Sequence, residues 1–346
     1  MDVLAKRTTA KWDLGAGEPL IVADALRDWE DLITRGASIY NPRGLYPRIG
    51  GHPQLIDRIK AWMQSAGHRV PKHVVVTCGA KQALAALVYD RVTNGYLKRI
   101  THLGPYWPTL KSIVTVAGGA LRAVDVVRNG VTIVTSPNNP DGLQHVGVSS
   151  KIWDASYASP AYGWNDVHVD SVATVFSMAK LFGVPDIRVG WIATDDDEVA
   201  ERVAAYVEVQ TSGVASESQS RAAAILSVFQ ESPHFWLFCS KVSYSLERNR
   251  QLLERLWAGY VETFPRSVGM YFYCWPSRDL KKHDREIFHQ ALKKADVAYV
   301  PGTACGQEDL FYGSQKGASK YCYRFNLAQR EAVVRGAAEA VLKAMR

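Results

Sequence analysis

A chain of 346 residues, 47% hydrophobic and 22% charged, is long enough for two unequal cores and has ordinary globular usage. Its 41 basic and 34 acidic residues leave a formal charge of +7, but the positive residues are scattered rather than gathered in a tract, so nucleic acid is not implied as a partner. Five cysteines without a C-x-x-C pair, and nine histidines without a clustered spacing, fit reduced thiols and speak against a metal site.

The chain opens polar, then gives Trp12-Asp13-Leu14-Gly15-Ala16-Gly17-Glu18-Pro19, a loop whose glycines let backbone approach a neighbour closely. Residues 24–33 have helical spacing, residues 40–47 form a turn-rich loop, and residues 54–65 follow Pro53 as an amphipathic helix with Leu55, Ile59, Trp62 and Met63 on one face. From residue 70 short apolar runs alternate with helical stretches, the rhythm of a doubly wound α/β sheet. Strands are predicted at 73–77, 99–103, 121–127, 131–135, 151–157, 171–176 and 190–194, with a helix at 81–92. Helices follow at 198–209, at 216–229 with Ser216 or Ser218 as cap, and at 235–260 up to Gly259. The remainder reads as an α+β unit: strand 270–275, helix 282–295, strand 298–301, a Gly- and Ser-rich loop at 302–319, strand 321–326 and helix 330–345. The expected division is a large α/β domain of residues 36–245, and a small α+β domain made of 1–35 and 246–346.

In such sheets a ligand binds beyond the carboxyl ends of the strands, and five predicted strand ends carry polar or aromatic groups. Gly79-Ala80-Lys81-Gln82 joins a strand to a helix N-terminus, where free N–H groups favour an anion such as phosphate. Trp107, between two prolines, can stack on a flat ring, and Asn139 in Asn-Asn-Pro can donate to a ring oxygen; core packing and a plain turn are the ordinary alternatives. Asp154 stands on an apolar strand, and a buried carboxylate needs a partner; Tyr157 follows three residues on. Ser177-Met178-Ala179-Lys180, with Arg188 eight residues further, supplies an amine able to attack a carbonyl beside the donor types that hold phosphate. Arg324, on an apolar strand, has the forked geometry that grips a carboxylate. An amine for a Schiff base, a phosphate clamp and a carboxylate for a ring nitrogen are together what pyridoxal phosphate requires.

These residues resemble the fold-type I pyridoxal-phosphate enzymes, the aminotransferase superfamily, from Gly15 to about Leu327. Val134-Thr135-Ser136-Pro137-Asn138-Asn139-Pro140-Asp141-Gly142, Trp153-Asp154-Ala155-Ser156-Tyr157 and Phe176-Ser177-Met178-Ala179-Lys180 are similar to the tryptophan aminotransferase-related and alliinase group. The resemblance implies a mostly parallel central sheet flanked by helices plus a smaller α+β domain, and a homodimer with shared active sites. Lys180 would carry the cofactor in Schiff-base linkage and shuttle protons, Asp154 would meet the ring nitrogen, and Asn139 with Tyr157 the ring oxygen. Gly79, Ala80, Lys81, Ser177 and Arg188 would hold the phosphate, Tyr46 would reach the phosphate of the neighbouring subunit, and Arg324 with the Gly17 backbone would hold the substrate carboxylate.

The expected activity is transamination between an L-amino acid, aromatic or large and apolar, and a 2-oxo acid. Carbon–sulfur elimination, decarboxylation or oxidation of an amino acid would start from the same site. A catalytically silent sensor on this fold is disfavoured by the intact Lys180. No apolar run reaches the ~18 residues of a membrane span and no apolar leader core opens the chain, so a cytoplasmic protein is expected.

Overall fold

The computed structural model describes residues 9–36, 45–94, 98–127, 130–145, 147–164, 170–230, 232–264, 267–277, 282–306 and 321–346. Residues 40–44 of the first predicted loop and 307–319 of the second lie outside them. Strand β1 (Trp12–Asp13) leads to helices α1 (Leu20–Leu26), α2 (Glu30–Arg35) and α3 (Pro53–Ser65). The α/β alternation comprises β2 (His73–Thr77), α4 (Gly79–Thr93), β3 (Arg99–Leu103), α5 (Pro108–Val116), β4 (Ala120–Val124), β5 (Val131–Thr135), β6 (Ser149–Asp154), β7 (Asp170–Ser177), α6 (Met178–Leu181) and β8 (Gly190–Thr194). Helices α7 (Asp197–Thr211), α8 (Ser216–Phe229) and α9 (Ser232–Leu256) follow. The last section holds β9 (Val261–Thr263), β10 (Tyr271–Pro276), α10 (Lys282–Lys294), β11 (Val297–Ala298), β12 (Val300–Pro301), β13 (Tyr323–Asn326) and α11 (Glu331–Met345).

The central sheet has the order β2-β8-β7-β6-β5-β3-β4, parallel except for β8, which runs against both its neighbours. Both faces of its middle are covered, so β5 and β8 are buried along their whole length, and alternate residues of the sheet enter different cores. Val74, Val76, Phe176 and Trp191 join the core that holds Trp62, Phe182 and Phe229. Val75, Val175, Ile192, Ile133 and Ile152 face the other core, with Leu87 and Val203. Each such fully buried aliphatic side chain contributes roughly 1.5–3 kcal/mol. At the end of β7, Phe176 stacks on Trp191 at 5.3 Å and Trp62 meets Trp191 edge-on at 5.7 Å, which packs the strand end that precedes Lys180. A second sheet, β12-β13-β10-β9, is built from the C-terminal part of the chain, and β1 returns to pair with β11.

Several predicted elements differ in detail. The helix expected at 24–33 begins at Leu20, directly after Pro19, and is interrupted by a tight turn at Arg27–Trp29. Helix α5 lies where no element was predicted; Pro108 pre-sets its first turn, and Leu110 and Val114 bury one stripe. The N-cap of α8 is Ala215, so neither Ser216 nor Ser218 fills that position. The strand expected at 298–301 is two short pieces, each paired with a different strand. No helix among the described residues is long and apolar enough to cross a membrane.

Candidate active site

The strand ends that carry reactive residue types converge because β2, β3, β5, β6 and β7 all point the same way. The reversed strand β8 adds a contribution that the sequence pattern conceals. Its first residue, Gly190, pairs with both Thr77 and Ser177, so the segment leading into it, with Arg188, also lies at the carboxyl edge. A Cβ at Gly190 would lie 2.7 Å from Gly79 C and Phe176 O and 2.8 Å from Ala80 N, which is why a glycine stands at this crossing. Arg188 adopts φ +52°, a left-handed conformation uncommon for a residue with a side chain. It is held there by hydrogen bonds from Nη1 to Pro185 O at 3.0 Å and from Nη2 to Cys78 O at 3.2 Å.

The result is a cluster of positive charge over the start of α4. Arg188 Nη2 lies 2.7 Å from where a Gly79 Cβ would be, and Lys81 Nζ sits 5.4 Å from the centre of the Trp107 ring. Partial burial, and then the charges of Arg188 and Lys180, push the Lys81 ammonium down from the usual lysine range. Among the described residues Lys81, Arg188 and Lys180 form no ion pair, so three cations face one region with no protein anion to answer them. Ser177 is buried beside them, and the free N–H groups at the α4 N-terminus add to the same field.

On the other side, Asp154 ends β6 in a buried position. Its Oδ1 accepts from Ser156 N at 3.1 Å and from Ser156 Oγ at 2.6 Å. Burial pushes its carboxyl up from the usual range, and the Ser156 hydrogen bonds offset this only in part. Among the described residues it has no cationic partner. A buried carboxylate of this kind calls for a positively charged group, and a protonated pyridine nitrogen provides one. The uncompensated cations and the uncompensated carboxylate therefore fit the two charged ends of pyridoxal phosphate.

Between these ends, Lys180 Nζ donates to Gly17 O at 2.6 Å, which brings the N-terminal loop over the lysine. Asn139 Nδ2 donates to Tyr157 Oη at 3.0 Å, while Asn139 Oδ1 accepts from Arg324 Nη1 at 3.0 Å. Arg324 is 4% exposed, gives Nη2 to Gly15 O at 2.7 Å, and keeps a buried Nε without a partner. Burial, then the neighbouring Tyr271, holds the Tyr157 phenol protonated well above the usual tyrosine range. Thus Lys180, Asp154, Tyr157, Asn139, Arg188, Ser177, Gly79 to Lys81, Trp107, Arg324 and Gly17 lie around one site. Tyr46 is 84% exposed in this single chain and takes no part in it.

Some participants were not singled out from the sequence. His102 is fully enclosed on β3, with Nδ1 3.1 Å from Gly104 O and Nε2 3.0 Å from Thr135 Oγ1. Thr135 sits opposite Asp154 in the sheet register. A histidine at the carboxyl end of an apolar strand is the same kind of signal that marked Asp154. Tyr271 places its hydroxyl 3.0 Å from that of Tyr157.

Comparison with known proteins places the chain in a family. The family described as Allinase matches residues 54–236, and the family of class I and II aminotransferases matches residues 151–341. Tryptophan aminotransferase-related protein 2 of Arabidopsis thaliana is 29% identical over 197 residues, covering 52% of this chain and 44% of that protein. Alliin lyase 2 of Allium sativum is 32% identical over 195 residues, covering 50% of this chain and 41% of that protein. The matched stretches thus span less than half the length of these relatives. A Thermus thermophilus aspartate aminotransferase double mutant superimposes with a TM-score of 0.72 at 20% identity, over 97% of this chain and 92% of that one, which establishes a common fold. The chain belongs to the fold-type I family of alliinases and class I and II aminotransferases, a family that works with pyridoxal phosphate.

Proposed function

We propose that this protein is an aminotransferase that moves an amino group between an L-amino acid, aromatic or large and apolar, and a 2-oxo acid. The observation that carries the reading is that the Lys180 amine lies at one sheet edge with a buried unpaired carboxylate, Asp154, an unpaired cation cluster, and the carboxylate-type clamp of Arg324. The bound cofactor supplies a pyridinium ring that delocalises negative charge from the substrate Cα. Lys180 Nζ takes the Cα proton as general base and delivers it as general acid. Asp154 holds the ring nitrogen protonated, since its burial makes a lone carboxylate costly and an ion pair favourable.

Tyr157 and Asn139 hold the ring oxygen, and Trp107 covers a ring face. Ser177, Arg188, Lys81 and the backbone of Gly79 and Ala80 hold the phosphate. Arg324, assisted by the Gly17 backbone, orients the α-carboxylate. Tyr46 is proposed to complete the phosphate site of a second copy in a homodimer, which its exposure in the single chain favours. The division into residues 36–245 and 1–35 with 246–346 is proposed on the two sheets and on the pairing of β1 with β11. A cytoplasmic setting suits the five free cysteines.

A second reading, carbon–sulfur elimination, is favoured by the similarity to an alliin lyase, and would use the same Lys180 base on a substrate with a leaving group at Cβ. The two separate by products. Protein loaded with pyridoxal phosphate is mixed with aromatic, aliphatic and sulfur-containing amino acids, with and without a 2-oxo acid. Transamination requires conversion of the added 2-oxo acid to its amino acid. Release of ammonia and pyruvate without pyridoxamine phosphate would establish elimination instead.

A further inference from the structure

Tyr271 lies on β10, opposite Asn326 of β13 and two pairs along from Tyr273 opposite Arg324. It is 3% exposed. The Arg324 guanidinium carbon sits 4.3 Å from the centre of the Tyr271 ring, and its two terminal nitrogens are held at their edges by Asn139 and Gly15. The ring is therefore the plate on which the guanidinium rests, leaving the buried Nε without a protein acceptor. The Tyr271 hydroxyl lies 3.0 Å from Tyr157 Oη and 3.6 Å from where a Gly17 Cβ would stand, a point 3.5 Å from Lys180 Nζ. One side chain touches the carboxylate clamp and the ring-oxygen tyrosine, and borders the lysine amine.

We propose that Tyr271 is a positioning residue with two separable jobs, an inference that rests on the pyridoxal-phosphate reading of the site. A phenol oxygen accepts two hydrogen bonds and donates one. Tyr157 Oη already accepts from Asn139 Nδ2; when the Tyr271 O–H fills its second lone pair, the Tyr157 proton is left to point at the cofactor ring oxygen. The Tyr271 hydroxyl thereby strengthens the donor that stabilises negative charge on that oxygen, and so favours loss of the proton from the Schiff-base nitrogen. The Tyr271 ring, through its negative face, holds the guanidinium flat for a carboxylate.

The test uses the full chain loaded with pyridoxal phosphate, with phenylpropionate as an unreactive carboxylate probe. Tyr271→Phe keeps the plate and removes the hydroxyl. The pH midpoint of the cofactor's visible band rises by roughly half to one pH unit, while phenylpropionate binds as to the parent protein. Tyr271→Leu, with Tyr271→Met as a second aliphatic replacement, removes the plate and weakens phenylpropionate by about tenfold. An unshifted midpoint in the Phe protein overturns the hydroxyl role, and unchanged carboxylate binding in the aliphatic variants overturns the plate. Absence of any visible band in the parent protein removes the cofactor reading itself, and this inference with it.

Discussion

Replacing His102 by glutamine tests the electrostatics of the site through stability. His102 is 0% exposed, and burial, opposed by its hydrogen bond to Gly104 O, pushes its imidazole down to about 3; an imidazole in the unfolded chain titrates near ~6.5. Between these values the unfolded chain binds a proton that the folded protein does not, so the stabilisation is complete above pH ~6.5 and is lost as pH falls. Each pH unit in that window costs about 1.4 kcal/mol. Going from pH 7 to pH 4 crosses about 2.5 units of it and removes about 3 kcal/mol, a large part of a typical ~5–15 kcal/mol stability. Glutamine can donate to Gly104 O and accept from Thr135, but it does not titrate. The variant is expected to be less stable than the parent at neutral pH, with a deficit that shrinks by about 3 kcal/mol at pH 4. Urea unfolding at each pH measures both proteins, and taking their difference cancels the other groups. Among these is Asp141, which burial pushes up to about 6 and whose own contribution falls as pH rises. A deficit that stays constant with pH, or widens toward acid, would refute a buried neutral imidazole beside Thr135.

Three further outcomes follow from contacts at the sheet edge. Gly190→Ala places a Cβ 2.7–2.8 Å from three backbone atoms of the Gly79–Ala80 turn and of β7, so thermal unfolding should show a loss of about 1–3 kcal/mol, together with weaker cofactor retention if that turn holds the phosphate as proposed. Asp154→Asn removes a buried carboxylate without an ion-pair partner; in the cofactor-free protein its unfolding midpoint should stay level or rise, while affinity for pyridoxal phosphate falls by at least about tenfold. Equal affinity in the two proteins would contradict the proposed ring-nitrogen contact. Arg188→Ala should weaken pyridoxal phosphate by about tenfold or more and leave binding of pyridoxal, which lacks the phosphate, unchanged in direct titration.

Much of the frame was legible because buried strands are short apolar runs, and a polar residue on one is conspicuous: Asp154 on β6 and Arg324 on β13 stand out this way, and Lys180 is marked by following directly on β7. Helices α4 and α3 begin at Gly79 and Pro53, within two residues of the starts expected at Lys81 and Gln54, because glycine and proline signals near a helix start need no partner. What local pattern could not deliver is which residues meet. Arg324 reaches Gly15 and Asn139, Tyr271 reaches Tyr157, and Lys180 reaches Gly17, pairs that the tertiary fold alone creates. The reversal of β8 is similarly silent in the sequence, since a buried antiparallel strand is as apolar as a parallel one. Helix α5 escaped because Ile113-Val114-Thr115-Val116 is a β-branched run, and tertiary burial of Leu110 and Val114 outweighs that preference.

The central claim is that one amine, on Lys180, is the cofactor's attachment point. The protein is incubated with pyridoxal phosphate, reduced with borohydride, digested, and the pyridoxyl group located by mass spectrometry. The label is expected on Lys180, at one group per chain, and absent when Lys180 is replaced by alanine. Label on Lys81, label scattered over surface lysines, or a labelled Lys180→Ala protein would contradict it.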